Sequence, residues 1–148
     1  MKNLVAAVDL SPFTENVVRV AADLARVTGA NLHLLHVAAD EPTFIGFDIG
    51  PQYIRDSEAR RLSEEHRGLH AIDRRLEDEG LRVTSLMWRG DPAEKILDLC
   101  DRVAADLVII GSHGRSALAE ALVGGTTRTI LKRSRCPVVV APAVGSRP

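Results

Sequence analysis

The apolar run Leu107-Val108-Ile109-Ile110 leads directly into Gly111-Ser112-His113-Gly114, and that junction constrains the fold more than any other stretch of the chain. A strand without a polar position must be covered on both faces, as a central strand of a parallel sheet is. Parallel neighbours need crossover connections long enough to hold a helix. The rest of the chain provides them. Asn3 to Asp9 reads as a buried strand. Ser11-Pro12 offers an N-cap and a first-turn proline to a helix with Val17, Val20, Ala21, Leu24 and Val27 at helical spacing, stopped by Gly29. Leu32 to Val37 is a second strand, which completes a right-handed βαβ unit.

Further along, Ser57 to Glu79 has the period of an amphipathic helix, with Leu62, Leu69, Ile72 and Leu76 as its inner stripe and Gly80 at its end. Leu81 to Trp88 is a third strand. Asp91-Pro92-Ala93-Glu94 combines a capping aspartate, a first-turn proline and a glutamate three residues on, which starts a helix running to about Ala104. Asp106 to Ile110 is the fourth strand, Thr126 to Arg133 a helix, and Pro137 to Ala141 a fifth strand rich in valine. Five strands alternating with four helices predict a single-domain α/β protein, a doubly wound three-layer α/β/α sandwich over residues 1–142 with a flexible tail at 143–148. Residues 38–55 show no period yet carry Phe44, Phe47 and Tyr53. A segment of this kind is a lid, a partner surface or disordered, and its plainer reading is that the aromatics cap the core.

Composition narrows the function. A chain of 148 residues, 45% hydrophobic and 26% charged, suits one globular domain, and a net charge of -1 gives no general attraction to nucleic acid or an anionic membrane. The N-terminal apolar stretch is too short for a secretory signal and no run approaches a membrane span, so the expected location is cytoplasmic. Cys100 and Cys136 match neither a disulfide framework nor a zinc site and read as packing residues.

In open parallel sheets, ligands bind beyond the carboxyl ends of strands where the winding reverses. Two polar features fall at strand ends: Asp9-Leu10-Ser11 and the glycine loop, which continues to Gly124-Gly125-Thr126-Thr127. A carboxylate suits ribose hydroxyls, and glycine-lined amides at a helix N-terminus suit phosphates. The loop is neither a Walker A motif nor GxGxxG. Its meaning comes from company: Ala7-Val8-Asp9-Leu10-Ser11, Leu35-His36-Val37, Gly111-Ser112-His113-Gly114-Arg115-Ser116, Gly124 and Arg135-Cys136-Pro137-Val138-Val139-Val140 together resemble the universal stress protein family from Lys2 to about Pro142.

That resemblance implies a Rossmann-like, adenine nucleotide hydrolase-like fold with strand order 3-2-1-4-5 and a homodimer through the last strand, Pro137 to Ala141. It implies ATP binding, with magnesium, in which Asp9 holds the ribose, Val37 lies by the adenine, and Gly111, Gly114, Gly124 and Gly125 hold phosphates. The candidate site therefore comprises Ala7, Asp9, Ser11, Val37, Gly111, Ser112, His113, Gly114, Arg115, Gly124, Gly125, Thr126 and Thr127. One departure stands out: the family has serine or threonine where this chain has Gly125, so a hydroxyl is lost unless Thr126 replaces it.

Other candidates have plainer readings. Asp9 and Ser11 are both able to cap the first helix. Arg115 is the best placed to meet phosphate charge, whereas Arg128, Lys132 and Arg133 suit a solvated helix face. His113 reads as a loop bystander, and His66 with His70 has metal-ligand spacing without a third ligand. No nucleophile and base set or carboxylate pair stands out. The expected role is regulation through a bound adenine nucleotide, with at most slow hydrolysis; a nucleotide-free dimeric interaction protein and a weak ATPase are the alternatives.

Overall fold

The computed structural model describes residues 1–40, 52–112 and 123–143. His113, Gly114 and Arg115 lie outside these, as do 41–51 of the expected lid and the end of the tail. The chain forms β1 (Asn3–Val8), α1 (Thr14–Thr28), β2 (Asn31–Ala38), α2 (Gln52–Asp78), β3 (Val83–Arg89), α3 (Pro92–Arg102), β4 (Leu107–Gly111), α4 (Gly125–Arg133) and β5 (Val138–Ala141). One parallel sheet joins the strands in the order β3-β2-β1-β4-β5.

Alternation along the strands divides the core into two layers. Leu4, Ala6 and Val8 of β1, Leu32 and Leu34 of β2 and Leu107 and Ile109 of β4 face α1 and α2, where Val17, Val18, Ala21, Leu69 and Leu76 meet them. Val5, Leu35, Val108 and Ile110 face the other way, against Ala93, Ile96, Leu99 and Cys100 of α3 and Ile130 of α4. In β4 the residues of both layers are buried, as the all-apolar run requires. Among the described residues no helix is long and apolar enough to cross a membrane.

Several element boundaries differ from the sequence expectation. α1 starts at Thr14 with Phe13 at its N-cap and no side-chain cap, because Ser11 is spent on a preceding turn in which Thr14 N–H donates to its carbonyl (3.0 Å). Val27 is 86% exposed. It lies about 200° around the helix from Ala25, which belongs to the buried face with Val17, Val18, Ala21 and Ala22. α2 begins at Gln52, five residues before Ser57, and its first turn is closed by Gln52 to Asp56 (3.1 Å) and Arg55 to Gln52 (2.7 Å). β3 begins at Val83 because Leu81 N–H is committed to Leu76 O (3.1 Å), completing the end of α2 where Gly80 turns at φ 85°. α3 ends at Arg102, since Ala104 has φ 49°, outside the helical region.

Candidate functional site

β1 and β4 are neighbours, yet the chain leaves β1 toward β2 and leaves β4 toward β5. The connections diverge, and a crevice opens at the carboxyl ends of the two strands. It is a cleft of about 690 Å³, within the range of small-molecule sites. Its walls come from Ala7 and Asp9 at the end of β1, Val37 and Asp40 at the end of β2, Gly90 to Pro92 at the start of α3, Ile110 and Gly111 at the end of β4, and 124–127 at the start of α4.

One end of the cleft is apolar. Val37, Leu35 and Ala39 from β2 and its end face Pro92 and Ile96 of α3, leaving a slot that suits a flat ring. Gly90 is needed to close that wall: it turns at φ 128°, a region that L side chains rarely adopt, while its N–H reaches Ala38 O (3.3 Å). Asp91 then caps α3, accepting from Glu94 N–H (2.9 Å), as the sequence motif predicts.

The other end is the start of α4. Gly124 is the N-cap, and the first i to i−4 bond runs from Arg128 N–H to Gly124 O (2.9 Å). The amides of Gly125, Thr126 and Thr127 precede that bond and have no carbonyl within the helix to satisfy them, which makes this end of the cleft a natural place for an anion. The strand end and the helix start are tied together: Thr127 Oγ1 donates to Gly111 O (2.8 Å), and Gly124 N–H donates to Ser112 O (3.2 Å). Thr127 is buried and its hydroxyl proton is used in this bond, whereas Thr126 is exposed and lines the cleft.

Asp9 lies on the wall between these two ends. Its Oδ1 accepts from Ser11 N–H (3.0 Å) and Thr14 Oγ1 (3.0 Å), so the carboxylate is fixed in the turn that joins β1 to α1. Leu10, between Asp9 and Ser11, has φ 58°, an uncommon left-handed conformation for a leucine at the mouth of the crevice. Beneath the cleft, His36 is 1% exposed. Its Nδ1 must donate to Val8 O (2.9 Å), which holds the end of β1, and its Nε2 meets Glu65 Oε2 (3.0 Å) from α2. Arg61 reaches the other oxygen of Glu65 (3.2 Å). The imidazole is thereby held at both ring nitrogens, between the end of β1 and α2.

Of the thirteen residues expected in the site, Ala7, Asp9, Val37, Gly111, Gly124, Gly125, Thr126 and Thr127 line the cleft. Ser11 builds the turn behind Asp9, accepting from Phe13 N–H with its hydroxyl (3.2 Å). Ser112 braces the strand end: its N–H donates to Ala141 O (2.9 Å) and its hydroxyl accepts from Ala143 N–H (3.0 Å). His113, Gly114 and Arg115 are outside the described residues. Arg128, Lys132 and Arg133 are exposed and do not line the cleft, and Arg133 pairs with Glu94 of α3. His66 and His70 stack with ring centroids 6.3 Å apart, and the described residues contain no group of three or more metal-ligating side chains.

The sequence reading missed the α3 wall and His36. Gly90-Asp91-Pro92 also follows a strand end, which was the available signal. Its approach to the crevice depends on β2 and β3 lying beside β1, a matter of topology.

The model of the universal stress protein family matches residues 1–142. Universal stress protein YxiE of Bacillus subtilis is 25% identical over 144 residues, covering 93% of this chain and 96% of its own length. Universal stress protein MJ0577 of Methanocaldococcus jannaschii is 36% identical over 81 residues, which is 54% of this chain and 50% of that protein. A solved structure of hypothetical protein MJ0577 superposes with a TM-score of 0.78 at 26% identity, covering 98% of each chain. Two further structures share the fold: a universal stress protein in complex with cAMP (TM-score 0.71, 19% identity, 97% of this chain and 98% of that one), and one from Archaeoglobus fulgidus in complex with dAMP (0.62, 22%, 95% and 96%).

Proposed function

The chain belongs to the universal stress protein family, and on that premise we propose that its cleft binds ATP with magnesium and that the bound nucleotide serves as a regulatory signal in a stress response. The observation that carries this reading is the convergence of three unlike surfaces on one crevice: an apolar slot at Val37 and Ile96, a fixed carboxylate at Asp9, and the open amides at the start of α4. A base, a ribose and a phosphate chain require that sequence of environments. Relatives solved with cAMP and dAMP support an adenine nucleotide as the class of ligand.

In this reading the adenine lies against Val37, Asp9 accepts from the ribose hydroxyls, and Gly111, Gly124 and the Gly125 amide meet phosphates, joined by the loop residues Ser112, His113, Gly114 and Arg115 and by the Thr126 hydroxyl. Magnesium balances charge that the cleft does not, because Asp9, Asp40 and Asp91 are the charged side chains among its described lining residues. The protein acts in the cytoplasm as a homodimer paired through β5, an edge strand whose Val138, Val139 and Val140 are only half-buried in the single chain.

The test is nucleotide analysis of gently purified protein, followed by calorimetric titration of ATP with and without magnesium, and sedimentation to read the mass. Retained adenine nucleotide and saturable ATP binding by a dimer are expected. A chain that holds no nucleotide and gives no heat with ATP would instead be an interaction protein that has lost the ligand together with the hydroxyl at 125.

A further inference from the structure

Cys100 and Cys136 do not line the cleft and are far apart in sequence, yet the fold brings them together from several directions. Cys100 is on the last turn of α3, and Ala105 N–H returns to its carbonyl (2.9 Å) as the chain turns into β4. Cys136 lies just before β5, where Val108 N–H donates to Pro137 O (3.0 Å). The register Val108 to Val138 continues backward to set Cys136 beside the start of β4. Period-two alternation places Cys136 on the same sheet face as Val138 and Val140, the face covered by α3, and it packs against the cluster that contains Cys100. Their sequence neighbours meet as well, with Arg135 Nη1 3.7 Å from Asp101 Oδ2.

We propose that Cys100 and Cys136 are a redox-active dithiol that closes to an intramolecular disulfide when the protein meets a peroxide. Cys136 is the thiol that reacts with the peroxide because it is half-exposed, while Cys100 is 7% exposed and acts as the resolving partner. In the first step the Cys136 sulfur attacks one peroxide oxygen. The O–O bond breaks, the sulfur becomes a sulfenic acid, and water leaves when hydrogen peroxide is the oxidant. In the second step the Cys100 sulfur attacks the Cys136 sulfur, the S–O bond breaks and a second water departs. Two electrons pass from the two thiols to one peroxide.

Burial, the Cys136 sulfur and the Asp101 carboxylate push the Cys100 thiol up to about 12, so it stays protonated and unreactive in the resting protein. Its burial and its protonated state keep Cys100 from competing for the oxidant and leave the more exposed Cys136 to meet it first. The resulting bond would join the end of α3, whose first turn lines the cleft, to the start of the proposed dimer strand.

The experiment treats the whole native protein with stoichiometric hydrogen peroxide and follows it by intact mass, peptide mapping and thermal melting. The expected product is a monomeric chain lighter by two hydrogens, a linked pair of peptides carrying Cys100 and Cys136, and restoration by dithiothreitol. Closing a loop of this length raises Tm by roughly 10 °C. Cys100→Ala should instead accumulate a sulfenic acid at Cys136 that reacts with dimedone, and the wild-type mass change reads the proposal even if that variant folds poorly. Unchanged thiols, added oxygen without a cross-link, cross-links only between chains, or a linked product with a lower Tm would each overturn it.

Discussion

Restoring a hydroxyl at position 125 is the sharpest probe of the cleft. Among the described residues a Cβ built on Gly125 meets nothing within 4 Å, and the residue lies at the first position of α4, so Gly125→Ser displaces no described neighbour. The position needs the addition, because the hydroxyl of Thr127 is already donated to Gly111 O (2.8 Å) and leaves Thr126 as the one described threonine at this end that is exposed to the cleft. A hydrogen bond to a charged group contributes about 1.5 to 3 kcal/mol, which corresponds to roughly 10- to 150-fold tighter ATP binding. Gly125→Ala supplies the control: it stiffens the backbone and favours the helix as serine does, but has no donor. Calorimetric titration of ATP into the wild type and both variants isolates the hydroxyl as the difference between serine and alanine. If the two variants bind ATP equally, no phosphate lies beside residue 125, and the assignment of the α4 N-terminus to the phosphate chain fails.

Three further outcomes follow from other groups. Asp9→Asn keeps an oxygen for Ser11 N–H and Thr14 Oγ1, so Tm should stay within about 3 °C while ATP affinity falls roughly tenfold for want of a charged acceptor at the ribose; equal affinity by titration would remove Asp9 from the site. Glu65→Ala leaves His36 buried without its carboxyl partner and should cost about 3 kcal/mol in urea denaturation, with a change under 1 kcal/mol showing that the pair is structurally idle. Burial lowers the His33 pKa below its ordinary 6.5, so the folded chain disfavours the imidazolium; the stability tied to neutral His33 is complete above the unfolded pKa and is lost as pH falls below it. His33→Gln should therefore flatten the decline in Tm on that acid side, and parallel wild-type and variant profiles would contradict this.

The strands and helices were legible because each carried its own period. Leu107 to Ile110 announced a strand covered on both faces, and Asp91-Pro92-Ala93-Glu94 announced the start of α3 to the residue. The misplaced boundaries share a cause. Ser11 looks like a cap, but the cap is only a local preference, and Asp9 and the turn at Leu10 claimed those groups first. Val27 matches an apolar period in a list of residues yet points away from the sheet, because the buried stripe of α1 is set by which face meets β1 and β4. Local chemistry wrote the elements, and contact between distant segments decided their edges.

The candidate site divides along the same line. Asp9, Gly111 and Gly124 were recognisable because each ends a strand or opens a helix, and backbone groups at such ends lack partners within their own element. His36 gave no such sign: it occupies an inward position in β2 where apolar residues precede it, and a histidine there reads as a stray polar group. Its role depends on Glu65, 29 residues away on α2, and on the end of β1 at Val8, neither of which any sequence period connects to it. An unpaired imidazole in that layer would cost more than the bonds it makes, so the sequence must hold both partners in place for the position to be tolerated. The same requirement makes the pair useful to the cleft. By holding the Val8 carbonyl, His36 fixes the last residue of β1, and Asp9 follows it directly into the wall of the cleft, so the carboxylate is aimed by packing on the opposite side of the sheet from α3 and α4.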